Sequence, residues 1–261
     1  MPTIALTRDV SDSIHACELT AIDRAAIDVR KARAQHAAYE DALRSCGCRV
    51  ERVPRADALP DAVFVEDTAV VLPEIAIITR PGAASRREET ASVEAALLPY
   101  RSIRRIQAPG TLDGGDVLRM GRTLYVGVST RSNPAGIAQF ERLLDPFGYR
   151  VVSVAMHGCL HLKSAVTEVA ESILLLQKEW IDQAPFADHE RIEIDPTEPY
   201  AANALRIGDQ LIYPLSFPKT LGKMVNRGLS VRTVDVSELA KAEGAVTCCS
   251  LIFTEAVNDE T

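Results

Sequence analysis

The sequence predicts an α/β protein in which five strand-strand-helix-strand units close into a ring. Three observations lead to this prediction. Short β-prone runs occur in pairs around turn residues, helical segments follow most of these pairs, and the pattern recurs at roughly 40–50 residues, a period typical of radial or solenoid repeats. The last unit begins near the C-terminus and would be completed by the N-terminal elements, which leaves no open sheet edge. A single α/β sheet with hairpins is the alternative that the period alone leaves open.

The N-terminal part of the chain supplies a strand, a polar loop, a helix and a second strand. Residues 3–6 are apolar and β-prone, and residues 8–19 are mostly polar. Apolar residues recur at helical spacing over 21–45, and Gly47 is placed to end that helix. Residues 48–53 form the next strand.

The other units follow one plan, in which a hairpin of two strands precedes a helix and a third strand. Hairpins are predicted at 68–72 with 75–80, 116–120 with 123–128, 165–169 with 172–177, and 204–207 with 210–213. Helices are predicted at 88–97, 133–144 and 219–227, with a shorter helical piece near Ile181, and closing strands at 102–106, 150–154, 191–194 and 230–234. The last unit opens with a strand at 250–253, and the acidic end, 255–261, is expected to fray.

The composition excludes several classes of protein. Of the residues, 47% are apolar and 25% are charged, as in ordinary globular chains. The length allows one large or two small domains, and the closed ring makes us expect one domain over residues 1–261. The net charge of −7 argues against a nucleic-acid or anionic-membrane partner and is compatible with a small cationic ligand. No apolar run approaches membrane-spanning length, and the first residues lack an export segment. We therefore expect a cytoplasmic protein whose six cysteines are free thiols.

Residues that could carry chemistry recur at one place in the repeat, just before the first strand of each unit. In a closed ring such positions converge on the central axis, so groups distant in sequence become neighbours. Each group alone has a structural explanation, such as a packed histidine or a tight turn. Together they offer a thiol, an imidazole and several carboxylates, which suit nucleophilic attack on a cationic substrate. In chain order these residues are Asp61, Glu66, Asp67, Asp113, Asp116, His161, Asn203 and Cys248.

The two adjacent thiols, Cys248 and Cys249, are predicted to point in opposite directions. Neighbouring side chains of an extended segment face opposite sides, so only one sulfur can reach a given site. Two small buried hydrophobes at a strand end are the plainer interpretation of the pair.

Five motifs then resemble one family in order and spacing across nearly the whole chain. They are FVED at 64–67, ITRPG with SRR at 78–87, TLDGGD at 111–116, HLKS at 161–164 and TCCS at 247–250. Together they resemble the dimethylarginine dimethylaminohydrolases of the guanidine-modifying (pentein) superfamily. The resemblance implies a five-bladed α/β propeller. It also implies hydrolysis of asymmetric dimethylarginine and monomethylarginine to citrulline and an amine through a covalent cysteine thiouronium, without a cofactor.

The resemblance also implies roles for individual residues. Cys248 is the implied nucleophile, His161 the general acid and base, and Asp113 the carboxylate that orients His161. The implied substrate ligands are Asp67 assisted by Glu66 for the guanidinium, Asp61 for the α-amino group, Arg86 and Arg131 for the carboxylate, and the backbones of Leu19 and Ala242. Zinc held between Cys248 and His161 is conceivable as an inhibitor, because thiolate and imidazole are good zinc ligands.

Other interpretations stay open from the sequence. A related hydrolase acting on arginine or citrulline is the alternative within the superfamily, and an inactive propeller that serves as a binding scaffold is the alternative from another class. The rank order of substrates and the choice between a monomer and a homodimer are not set by these residues.

Overall fold

In the computed structural model, which describes residues 2–255, fifteen strands form five three-stranded sheets. The strands are β1 (Thr3–Thr7), β2 (Cys48–Arg52), β3 (Ala69–Val71), β4 (Ile75–Ile78), β5 (Ser102–Arg105), β6 (Val117–Met120), β7 (Thr123–Val128), β8 (Arg150–Ala155), β9 (Val166–Ala170), β10 (Ile173–Leu176), β11 (Glu190–Glu193), β12 (Leu205–Ile207), β13 (Gln210–Pro214), β14 (Ser230–Val234) and β15 (Leu251–Thr254). The helices are α1 (Val29–Ser45), α2 (Thr90–Leu97), α3 (Pro134–Leu144), α4 (Leu162–Ala165), α5 (Pro218–Val225) and α6 (Ser237–Ala240).

Each sheet is one blade of a propeller. Its middle strand pairs antiparallel with the first strand and parallel with the third, as in the blade β3-β4-β5. The same arrangement holds for β6-β7-β8, β9-β10-β11 and β12-β13-β14. The blade β15-β1-β2 joins the two ends of the chain, because β1 pairs with β15 from Thr3↔Thr254 to Leu6↔Leu251. The predicted ring of five units is confirmed.

The apolar core is divided among the interfaces between blades. Ile4 and Leu6 of β1 pack with Ala76 and Ile78 of the next blade, while Ala5 packs on the opposite side with α1. Alternate residues of one strand therefore serve two interfaces, as expected of a strand that is covered on both faces. The first strands β3, β6, β9, β12 and β15 line a central channel.

Most predicted elements lie within a few residues of the observed ones, but the first helix does not. It begins at Val29 rather than at residue 21, because the Asp28 carboxylate caps it by accepting the Lys31 N–H at 3.0 Å. Residues 18–27 form a non-helical segment instead. The blade β9-β10-β11 carries only the short 3-10 turns Lys178–Trp180 and Ala184–Phe186 where other blades have a helix, in agreement with the shorter piece that was predicted there.

The ends of the described chain meet at the blade β15-β1-β2. The Glu255 N–H donates to the Pro2 carbonyl at 3.1 Å and the Glu255 carboxylate pairs with Arg49, so this residue is held and the expected fraying does not begin at it. The rest of the tail, 256–261, lies outside the described residues. Within the part of the chain that is described, no helix combines the length and the apolar character that crossing a bilayer requires.

Candidate active site

Segments that precede the first strands and segments that follow the middle strands together enclose a small cavity. Seven of the ten sequence-predicted site residues line it: Asp61, Asp67, Arg86, Arg131, His161, Ala242 and Cys248. Its other lining residues are Glu18, Phe64, Leu160 and Glu243. Asp113 lies behind His161, while Glu66 and Leu19 are not part of the lining.

His161 is held between two carboxylates at the start of α4. Its Nε2 lies 3.1 Å from Asp113 Oδ2, and its Nδ1 lies 3.7 Å from Asp67 Oδ1. Asp113 is itself fixed, because its Oδ1 accepts the Gly82 N–H at 2.9 Å. Burial lowers the pKa of His161, but Asp67, Asp113 and Asp116 outweigh burial and raise that pKa to about 9. The imidazole is therefore protonated at neutral pH.

Asp67 is the buried anion of the cavity. Its Oδ1 accepts the Gly115 N–H at 2.9 Å, and its Oδ2 accepts a bond of 2.6 Å from Arg86. Burial raises the pKa of Asp67, but the charges of His161 and Arg86 reverse this effect and lower it to about 2. Gly115 must be a glycine here, since an added Cβ would lie 2.6 Å from His161 Nδ1 and 2.7 Å from Asp67 Oδ1.

Cys248 and Cys249 are separated as expected, although by a turn rather than by a strand. Residues 246–249 form a turn before β15, Cys248 lines the cavity, and the fully buried Cys249 packs in the core beside α1. Burial, together with the carboxylates of Glu66 and Asp67, raises the pKa of the Cys248 thiol to about 12. At neutral pH the Cys248 side chain is therefore a neutral thiol in an acidic cavity.

One further carboxylate, that of Asp61, and the guanidinium groups of Arg86 and Arg131 also line the cavity. Asp61 Oδ2 accepts the Glu18 N–H at 3.1 Å, and burial raises the pKa of Asp61 although Arg86 acts against it. Arg86 bonds to Asp67 and, at 2.8 Å, to Glu89. The guanidinium of Arg131 has no ion pair within residues 2–255 and donates to Thr20 Oγ1 at 3.0 Å.

Two predicted ligands lie elsewhere. The 3-10 turn Val65–Thr68 directs consecutive side chains to different sides, so Glu66 faces the central channel while Asp67 faces the cavity. There the Glu66 carboxylate bonds to Lys163 Nζ at 2.5 Å and to Thr247 Oγ1 at 2.8 Å. Leu19 packs against the core beside α1, and its neighbour Glu18 lines the cavity instead.

Asp116 is a supporting residue whose role the sequence did not reveal, although it belongs to the TLDGGD motif. Its carboxylate accepts the Leu162 N–H at 3.0 Å and hydroxyl bonds of 2.6 Å from Ser129 and Ser132. Burial raises the pKa of Asp116 to about 6. These bonds tie the helix that follows His161 to the turn that carries Arg131.

Three neighbouring side chains could in principle hold a cation. Oxygen or nitrogen atoms of Asp67, Asp113 and His161 lie within 4.8 Å of one another, and this group does not include Cys248. Asp113 already accepts the Gly82 N–H, and Asp67 already accepts the Gly115 N–H and a bond from Arg86. A protonated His161 would also have to lose a proton before it could bind a metal. The zinc site between Cys248 and His161 stays a prediction.

A five-bladed α/β propeller with a thiol, an imidazole and carboxylates where its first strands converge defines a member of the pentein superfamily. Residues 11–195 match the family model described as N,N dimethylarginine dimethylhydrolase, eukaryotic. The chain belongs to the dimethylarginine dimethylaminohydrolase family.

Individual relatives agree with this assignment. A protein named N(G),N(G)-dimethylarginine dimethylaminohydrolase from Streptomyces coelicolor is 40% identical over 96% of this chain and 97% of its own length. A protein of the same name from Pseudomonas aeruginosa is 38% identical over 87% of this chain and 90% of its own length. A structure of the Pseudomonas aeruginosa enzyme, a cysteine-to-serine variant complexed with citrulline, superposes with a TM-score of 0.92 at 35% identity and covers 97% of this chain and 100% of that one. The N-terminal domain of the arginine dihydrolase ArgZ shares the fold, with a TM-score of 0.88 at 22% identity over 98% of this chain and 99% of that one.

Proposed function

We propose that this chain hydrolyses Nω-methylated L-arginines, both asymmetric dimethylarginine and monomethylarginine, to L-citrulline and dimethylamine or methylamine. The observation that carries the proposal is the polarity of one cavity. A thiol, an imidazolium and the Asp67 carboxylate line it together with Asp61 and Arg131, which bond to Glu18 and Thr20. This arrangement suits an α-amino acid whose side chain ends in a guanidinium. The names of the relatives from Streptomyces coelicolor and Pseudomonas aeruginosa support the same substrate class.

The substrate's two ends have natural partners in this cavity. We assign the guanidinium to Asp67, because a carboxylate that stays ionised binds two N–H edges of a planar cation in one orientation. Asp61 would accept the α-ammonium group, and Arg131 would bind the α-carboxylate. Arg86 was predicted as a second ligand of the carboxylate, but it bonds to the carboxylates of Asp67 and Glu89 and to the carbonyl of Asp61. We therefore propose that it supports the site and keeps Asp67 ionised. The backbone beside Ala242 closes the lining.

The chemistry follows from the protonation states. An arriving guanidinium places positive charge beside the sulfur, which lowers the pKa of Cys248, and the thiol proton is released to solvent. The thiolate attacks the guanidinium carbon and forms a C–S bond. His161 Nδ1–H then protonates the departing amine as the C–N bond breaks, which leaves a thiouronium on Cys248. Neutral His161 takes a proton from water, and the resulting hydroxide attacks the same carbon. The C–S bond then breaks, the sulfur leaves as a thiolate and takes up the hydroxyl proton, and citrulline is released.

The same groups supply a nucleophile, an acid and a base, so we propose that the reaction needs no cofactor. All six cysteines are free, which fits a reducing compartment, and we propose a cytoplasmic location on that basis. Strand β1, near the start of the chain, pairs with β15, near its end. We therefore propose that the chain forms one domain.

The test is an assay of citrulline and amine formed from asymmetric dimethylarginine, monomethylarginine and arginine, with ureido cleavage of citrulline followed in parallel. We expect turnover of the two methylated substrates above that of arginine and no turnover by Cys248→Ser. Acid-quenched wild-type enzyme should carry a substrate-derived mass on the peptide that contains Cys248. Faster turnover of arginine or citrulline would replace this proposal with the related hydrolase.

A further inference from the structure

The segment between the first strand and α1 lies at the rim of the cavity. We call residues 18–27 the lid segment. Glu18 lines the cavity, donates its N–H to Asp61, and accepts a bond from Ser85 with its side chain. Two residues further on, the Thr20 hydroxyl accepts from Arg131 at 3.0 Å. The lid segment therefore contacts the two groups that we assign to the amino-acid end of the substrate.

A third attachment of the lid segment is independent of those groups. The carboxylate of Glu243 accepts three consecutive backbone N–H groups: that of Thr20 at 2.9 Å on Oε2, and those of Ala21 and, at 2.9 Å, Ile22 on Oε1. Within residues 2–255 these are the hydrogen bonds that the Glu243 side chain makes, and no cation pairs with it. Among the described residues, the hydrogen-bond partners of this carboxylate therefore all belong to the lid segment.

The backbone of Glu243 also has an unusual, left-handed conformation. Its φ is +57°, a left-handed conformation that disfavours side chains with a Cβ and that glycine adopts freely. Glu243 follows Ala242 and lines both the catalytic cavity and the adjoining apolar pocket around Ile22 and Phe217. From this position the carboxylate reaches the backbone of the lid segment.

We propose that Glu243 is a positioning residue that latches the lid segment over bound substrate. The latch fixes residues 20–22 and so places the Glu18 N–H beside Asp61 and the Thr20 hydroxyl beside Arg131. Substrate entry must separate the lid segment from these two groups, and the three bonds to Glu243 then return it. The inference rests on the proposed function for its kinetic consequences, but the latch itself is a structural statement that can be tested without turnover.

Two variants separate the latch from backbone strain. Glu243→Gly removes the carboxylate and accepts the left-handed conformation, so it should remain folded. Glu243→Gln keeps the length of the side chain but loses the charge and turns an NH₂ group towards backbone donors. Asp23→Asn is the matched control, since it removes one charge from an exposed residue of the lid segment that makes no hydrogen bond within the described chain.

The first readout is hydrogen exchange of the amides of residues 20–22, with tryptic cleavage after Arg24 as a second measure of opening. In both Glu243 variants we expect exchange and cleavage to accelerate about tenfold or more, the order associated with losing one charge-assisted hydrogen bond. KM for methylarginine should rise by a similar factor, with kcat changing less. Asp23→Asn should match the wild type.

Exchange and cleavage at wild-type rates in both Glu243 variants would overturn the latch, as would an equal acceleration in Asp23→Asn. Absence of citrulline formation by the wild type would refute the proposed function, while the exchange experiment would still decide whether Glu243 holds the lid segment. The two failures are therefore distinguishable.

Discussion

Replacing Asp67 by Asn changes the charge balance of the cavity in a way that can be measured on His161. The imidazole Nδ1 lies 3.7 Å from Asp67 Oδ1, and at this separation two unit charges interact by about 4 kcal/mol at an effective dielectric constant near 20. Asp67 is the largest of the charges that raise the pKa of His161 from 6.5 to about 9, against the opposite effect of burial. Since that rise corresponds to about 3 kcal/mol, removal of this one charge is sufficient to cancel most of it.

In Asp67→Asn we therefore expect the pKa of His161 to fall from about 9 to about 7 or below. The measurement is an NMR titration of the imidazole Cε1–H, assigned with His161→Gln because the chain has five histidines. His161 must be protonated to release the amine, so the alkaline limb of kcat/KM should move to lower pH. The value of kcat/KM should also fall by about 10–100-fold through loss of a charged hydrogen bond to the guanidinium.

Asp209→Asn, in the exposed turn between β12 and β13, removes the same charge far from the imidazole and should change neither quantity. A His161 that still titrates near 9 in Asp67→Asn would refute the electrostatic reasoning, as would an equal fall in the control.

Three further changes have definite expected outcomes. Cys248→Ser should abolish citrulline formation, whereas Cys249→Ser should keep most of it and only lower the melting temperature; equal loss of activity in both folded variants would contradict the assignment of the nucleophile. Arg131→Ala should raise KM about tenfold or more while a guanidine without a carboxylate is unaffected, and unchanged steady-state kinetics with methylarginine would remove Arg131 from the substrate site. Lys163→Met leaves the Glu66 carboxylate without its cation and should lower the free energy of unfolding in urea by roughly 3 kcal/mol. The double variant that adds Glu66→Gln should recover this stability, and a single variant as stable as the wild type would contradict the prediction.

The repeat could be predicted because it depends on local sequence patterns. Turn residues between short apolar runs, as at Gly121 between β6 and β7, fix each hairpin, and hairpin pairing depends on neighbours in sequence. The first helix was predicted to start at residue 21 because Ile22 and Ala25 continue its apolar spacing. In the folded chain the backbone donors of residues 20–22 bond to Glu243 instead, a partner more than 200 residues away. A local sequence pattern cannot predict a hydrogen-bond partner so distant in the chain.

In the site, too, the sequence predicts some features and not others. Equivalent positions of a closed repeat converge, and Asp61, Asp67, His161 and Cys248 accordingly line one cavity. The direction in which each side chain points depends on turns that the repeat does not specify. Thus Glu66 was expected beside Asp67, but the 3-10 turn sends it to Lys163 in the central channel. A motif can place a residue near a site without determining which side of the chain it faces.

We propose that the acidic cavity keeps Cys248 as a thiol until a guanidinium arrives. The direct test is the ultraviolet absorbance of the thiolate, titrated against pH as a difference from Cys248→Ser, first without ligand and then with an unreactive amidinium. In the free enzyme we predict a pKa of Cys248 above the ordinary value of about 8.5, because burial and the carboxylates of Glu66 and Asp67 raise it towards a value of about 12. When the cation binds, this pKa should fall markedly. A thiolate that forms near pH 6 in the free enzyme, at a pKa indifferent to the ligand, would mean that His161 and Cys248 form a standing ion pair and would contradict the account.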